Sequence, residues 1–231
     1  MNGHTPTDML FDFEQAAFNA ACATFPGIDV KGCFFHLCQN LWKRIQGNRL
    51  EQLYEADNDF AMLMRSISAL AFVPEADVPQ AFYDLETEIR NNYNNNGIDA
   101  VLDYFEDNYI GRQRRGRPRA NPLFPIAIWN MVDRTEDDLP RTNNNIEGWH
   151  HRFNQNVDGK HRTLWKFIES LRREESVVRA EVVQLLGGHP HTQKKKYADC
   201  ATRIKNIVTT YPVRRFDILH YLRSIAHNLS F

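Results

Sequence analysis

The sequence predicts a mostly α-helical protein that opens with a short β-α-β unit. Two stretches with the β-branched and aromatic character of strands, TDMLF (residues 7–11) and IDVKGCFFH (28–36), lie near the start. Between them Phe13, Ala16, Ala17, Ala20, Ala21 and Phe25 recur at helical spacing. From about residue 48 onward the apolar residues keep a helical period almost throughout.

The first strand ends at Asp12, and Pro26-Gly27 stops the helix that follows it. IDVKGCFFH is then the second strand, leading into the helical run LCQNLWKRI. A strand, a helix and a strand in this order make the two strands parallel neighbours. Two strands alone do not form a stable sheet, so the unit needs support from the rest of the chain.

In the helical stretch, Phe60, Leu63, Met64 and Ile67 mark one helix. PQAFYDLETEIRNNY and IDAVLDYFEDNY mark two more, separated by the asparagine-rich turn NNNG. GRQRRGRPRANP (residues 111–122) has no periodicity and is expected as an exposed basic loop. PLFPIAIWNMVD, a turn, and a helix opened by NNNIEGWHHRF follow. The segments LWKFIESLRREESVVRAEVVQLL, KYADCATRIKNIVTTY and DILHYLRSIAHNL are amphipathic; in the last, Ile218, Leu222, Ile225 and Leu229 line one face.

With 231 residues, 42% hydrophobic and 25% charged, the chain can bury a substantial core in one or two domains. No apolar run reaches the ~18 residues that span a bilayer, and MNGHTPTD lacks the basic and apolar parts of a signal peptide, so a soluble intracellular protein is expected. Cys22, Cys33, Cys38 and Cys200 are too scattered for a disulfide framework and are expected as thiols. The net charge of −1 conceals an asymmetry: residues 1–110 hold 6 Lys+Arg against 17 Asp+Glu, and residues 111–231 hold 22 against 12. That split fits either a basic half facing nucleic acid or two halves of opposite charge packed together.

Several residues are candidates for chemistry, each with an ordinary alternative. Asp12 sits at the carboxyl end of a strand, where ligands and metals collect in open α/β sheets, or it caps the next helix. Glu147 lies in the first turn of a helix, three residues after Asn144, in the spacing of a capping box. Its neighbours Trp149, His150 and His151, with Arg141 and four amide or hydroxyl residues ahead of it, also suit a site near phosphates. Cys33, His36 and Cys38 are zinc-competent, but no second short-spaced pair completes a four-ligand site, and there is no C-x-x-C for redox use. RRGRPR (114–119) contains the Arg-Gly-Arg-Pro core with which minor-groove hooks read A/T tracts, and equally suits a loop that touches phosphates or is solvated.

Taken in order, DFEQAA, FPGIDVKGCFFHLCQNLWKRIQ, ALAFVP, YFEDNYIGR, FPIAIWN and PRTNNNIEGWHHRFN resemble the transposase domain of Mutator-like elements, through nearly the whole chain. The resemblance implies a truncated RNase H-like α/β core with a large all-helical insertion and C-terminal helices. Residues 1–46 would be the partial RNase H-like β-α-β segment, 47–139 the insertion with its basic loop 111–122, and 140–231 the catalytic-Glu helix and C-terminal helices. Asp12 matches the second Asp, and Glu147 the Glu, of an Asp-Asp-Glu triad that holds metal. Cys33 and His36 match the family's Cys-x-x-His element, which supports the site beside the catalytic Glu; His150 is a further supporting residue. Arg112, Arg114, Arg115, Arg117 and Arg119 are the expected DNA contacts.

The chemistry implied is phosphoryl transfer with two Mg²⁺ ions, about 3.5 to 4 Å apart, held by carboxylates. DNA, further copies of the chain and a nuclear location are the partners and place implied, with no membrane. The sequence departs from the family at one point: the family's first catalytic Asp lies well upstream of DFE, and this sequence begins just before DFE. Asp8 is no substitute, because four residues along a strand put it roughly 13 Å from Asp12. The expectation is therefore a catalytically incomplete piece of a transposase domain that retains DNA binding. An active transposase, if the gene model is short, and a domesticated DNA-binding protein are the alternatives.

Overall fold

The computed structural model describes residues 5–156, 163–188, 195–214 and 216–229. The elements begin with β1 (Asp8–Phe11), α1 (Gln15–Thr24), β2 (Asp29–Gly32), α2 (Phe34–Gly47), α3 (Glu51–Ala56) and α4 (Asn58–Ala69). After a 3-10 turn at Leu70–Phe72 come α5 (Val78–Asn92) and α6 (Asn96–Phe105), which runs into a π-helical turn at Glu106–Ile110. Then follow α7 (Ile126–Trp129), α8 (Val132–Glu136), α9 (Asn144–Asn156), α10 (Leu164–Leu186), α11 (Lys195–Thr209), α12 (Tyr211–Arg214) and α13 (Ile218–Ala226).

The molecule is mostly helical, with one two-stranded parallel sheet among the described residues. Its register pairs Asp8 with Asp29 and Phe11 with Gly32. The second strand is shorter than its composition predicts. It stops at Gly32, Cys33 takes the N-cap position, and Phe34, Phe35 and His36 are already the first turn of α2. The core decides this: Phe34, Leu37, Cys38, Leu41 and Ile45 are all buried, a spacing only a helix brings to one face.

Two compact units are present. One comprises the described residues up to Thr142 and from Cys200 onward, the other Asn143–Asp199. In the first unit the segments 1–46 and 47–139 share one core, in which Phe18, Phe34 and Leu41 belong to the same cluster as Phe72, Phe105 and Trp129. Asp57 starts α4 by accepting the N–H groups of Asp59 (2.9 Å) and Phe60 (3.0 Å). Phe60, Leu63, Met64 and Ile67 then form one fully buried face; α13 packs on α4, and its Leu222 and Ile225 are fully buried too. Buried polar groups are tied to backbone: Asn130 Nδ2 donates to Val73 O (2.7 Å), Trp129 Nε1 to Tyr109 O (2.8 Å) and the Tyr221 hydroxyl to Phe72 O.

The small sheet gains its support from helices. β2 packs on α1 and α7, and Lys31 Nζ donates to Ala127 O at 2.9 Å. Phe13, one residue past Asp12, sets its ring edge-on to Tyr109 (5.4 Å) and Phe124 (5.0 Å) and lies against Gly32. The loop after β1 is thereby pinned to the helical core.

In the second unit, Trp149 stacks on Phe153 at 5.2 Å, Phe153 meets Phe167 of α10 at 5.9 Å, and Arg152 pairs with the buried Glu174 at 3.1 Å. α10 also exposes Trp165, Val183 and Leu186. α9 starts at Asn144, one residue earlier than a cap at Asn144 requires, and Asn143 O accepts the Ile146 N–H.

Candidate functional site

Asp12 directly follows the carboxyl end of β1 and is half exposed. His36, on the first turn of α2, places Nδ1 2.9 Å from Asp12 Oδ1; the imidazole is 16% exposed and the carboxylate 57%. Cys33, its partner in the Cys-x-x-His element, is fully buried, and its N–H donates to Phe11 O at 2.7 Å. The element therefore divides its work: Cys33 fixes the end of β2 against the end of β1, and His36 reaches the carboxylate.

Cys38 lies on the core face of α2, and burial pushes its thiol up to about 12. Among the described residues no three His, Cys, Asp or Glu side chains come together as a metal site. The described carboxylate of the expected pair, Asp12, offers a hard oxygen donor of the kind Mg²⁺ takes. Glu147 falls in α9, and its side chain lies outside the described residues. His150 is exposed on the same helix, with its ring 4.9 Å from that of Trp149.

Within the first unit, residues 134–141 are tied to β1 and to the start of α2. Phe34, two residues before His36, donates its N–H to Arg141 O at 2.9 Å. Arg134, almost fully buried, donates Nε to Pro140 O (2.7 Å) and Nη1 to Asp8 Oδ1 (2.8 Å). The Arg141 guanidinium lies 5.5 Å from the Phe72 ring centre, and burial holds it below its ordinary value.

The five arginines of the basic loop do not form one group. Arg112 makes a two-pronged pair with Asp107 (Nε to Oδ1 2.6 Å, Nη2 to Oδ2 2.8 Å), which holds the Asp107 carboxyl below its usual range. Arg119 Nη1 donates to Glu106 Oε1 at 2.9 Å and to Gly111 O at 2.8 Å. Among the described residues Arg114, Arg115 and Arg117 make no ion pair, and all three are exposed. Part of the charge asymmetry is neutralised inside the first unit by these pairs, together with Arg134–Asp8 and Arg223–Glu88.

The contact of His36 with Asp12 and the anchoring of Arg112 and Arg119 do not follow from any motif. The loop anchors had one local sign, the acidic Glu106 and Asp107 shortly before the arginines. Comparison of the chain with protein-family models, with curated proteins and with solved structures finds no match. No helix among the described residues is long and apolar enough to cross a membrane.

Proposed function

We propose that this chain is part of a Mutator-like DNA transposase domain with an RNase H-like core, in which Asp12 and Glu147 are two of the three metal-binding carboxylates. The observation that supports this reading is the parallel β1-α1-β2 unit, with Asp12 just past its first strand and His36 of the Cys-x-x-His element 2.9 Å away. Carboxylates at the carboxyl ends of strands suit hard Mg²⁺, and two such ions would be cofactors of the complete domain. The Cys33 N–H on Phe11 O ties the end of β1, and His36 lies beside the Asp12 carboxylate. Within the 231 residues two of the three carboxylates are assigned, so DNA binding is the activity expected of this chain by itself, at a nuclear site. Self-association is part of the same proposal and is supported by the apolar residues exposed on α10, among them Trp165, Val183 and Leu186.

The test is duplex DNA binding by the purified chain across a salt series, with a Mg²⁺ or Mn²⁺ nicking assay run beside it. Affinity falling steeply with salt, and no nicking, is the expected result, because lysine and arginine contacts to phosphates release counterions. Affinity flat from low to moderate salt overturns the DNA-binding reading. Metal-dependent nicking that disappears in Glu147→Gln replaces the incomplete-domain reading with that of an active transposase.

A further inference from the structure

The loop 111–122 is a braced hairpin. Arg114 and Arg117 form an antiparallel bridge, Arg117 N–H donates to Arg114 O at 3.3 Å, and Arg115-Gly116 makes the two-residue turn between them. Gly116 adopts φ +66°, which glycine takes without steric cost, and nothing lies within 4 Å of where its side chain would be. Lower down, Ala120 N–H donates to Arg112 O at 2.9 Å and joins the two arms.

The base of the hairpin is held by successive carboxylates of the π-helical turn that ends α6. Glu106 receives the Gln113 N–H (3.1 Å) and Arg119 Nη1 (2.9 Å), while Asp107 takes the fork of Arg112. The turn closes with Gly111 N–H donating to Glu106 O at 2.7 Å. One arginine on each arm is thus neutralised and structural. The three arginines at the tip are exposed, on a base held by these ion pairs and hydrogen bonds.

We propose that the tip Arg114-Arg115-Gly116-Arg117 inserts its guanidinium groups into the minor groove of A/T-rich duplex DNA, with Arg112 and Arg119 serving as the brace that presents it. The inference rests on the DNA-binding reading above and adds the groove and the sequence class. A/T tracts have a narrow minor groove with enhanced negative potential, which favours the weakly hydrated guanidinium over the ammonium. Gly116 at the apex carries no side chain and has open space around it, so the flanking guanidinium groups reach outward with nothing between them. Pre-ordering by the brace lowers the entropy lost on binding.

The test is fluorescence anisotropy of the whole chain on two duplexes of equal length, one an A/T tract and one G/C, at moderate salt. The expected preference is at least about tenfold for the A/T duplex, abolished by the minor-groove ligand netropsin. Replacing Arg114, Arg115 and Arg117 by Ala should remove the preference, and replacing them by Lys should keep salt-dependent binding while reducing it. Asp107→Asn separates the brace from simple charge. Freeing Arg112 should raise affinity for the G/C duplex while lowering the A/T preference, whereas charge alone raises both affinities equally.

Equal binding of the two duplexes by the native chain, or full preference retained in the Ala or Lys variant, overturns this inference and leaves DNA binding standing. No binding to either duplex at low salt overturns both. Circular dichroism of each variant checks that the helices persist.

Discussion

His36 Nδ1 lies 2.9 Å from Asp12 Oδ1, joining the first turn of α2 to the loop that leaves β1. Because the carboxylate is 57% exposed, the pair should add little to stability. A double-mutant cycle of Asp12→Ala and His36→Ala is expected to give a coupling below about 1 kcal/mol. A coupling several times larger, read from urea midpoints, contradicts this and makes the pair a structural anchor.

Gly111 sits at φ +92°, and a side chain there would place its Cβ 1.9 Å from Ala120 O. Gly111→Ala should therefore disturb the base of the hairpin and cost roughly 1–3 kcal/mol from backbone strain and collision. Limited proteolysis is the sensitive readout: the variant should be cut within 111–122 well before the native chain. Equal cutting rates count against a braced loop.

Burial pushes the Cys38 thiol up to about 12, against about 8.5 in an unfolded chain. A raised folded value means that this contribution is fully present below pH ~8.5 and is lost as pH rises from there towards 12. The tyrosines Tyr93, Tyr109 and Tyr221 are raised too, each chiefly by burial, and add to the loss at higher pH. Urea midpoints should fall between pH 8 and 10, and Cys38→Ala should flatten the first part of that fall. In the native state a thiol reagent should label the exposed Cys22 first and leave the buried Cys33 and Cys38 unmodified.

Asp57 caps α4, and its carboxyl is held below the ordinary range chiefly by the Phe60 N–H and then by the Tyr93 hydroxyl. A depressed folded value gives stability that is present above the unfolded value, near pH 3.9, and is lost as pH falls through the folded one. Asp57→Ala should lower the thermal midpoint at pH 7 and narrow the gap to native as pH drops towards 3. Tyr93→Phe should reproduce only part of this. A constant gap across that range contradicts the role of the charged cap.

Trp129 is fully buried, donates to Tyr109 O at 2.8 Å and meets Phe105 edge-on at 5.7 Å. Trp129→Ala should cost about 3–5 kcal/mol through the cavity it leaves. Trp165→Ala, at a 78% exposed position, should change the urea midpoint little. Comparable losses in the two variants contradict this placement of the core.

The helices were legible because burial repeats with the period of the backbone. Phe60, Leu63, Met64 and Ile67, and equally Leu222 and Ile225, are buried as their spacing requires. The parallel pairing of the two strands was legible for a similar reason, since a helix between them leaves little other choice. The end of β2 was not, because GCFFH is strand-like in composition while Phe34, Leu37 and Leu41 answer to a core built by residues far along the chain.

The sequence alone determined a mostly helical chain, a β-α-β start and the identity of the polar residues that could do chemistry. Only the tertiary structure decided which of them meet. It brought His36 to Asp12, turned Cys33 inward, and set Arg112 and Arg119 on carboxylates while leaving Arg114, Arg115 and Arg117 in solvent. Local periodicity states which face of an element is apolar. The partner that a charged side chain finds depends on how whole elements dock, and that is settled by packing over the entire core.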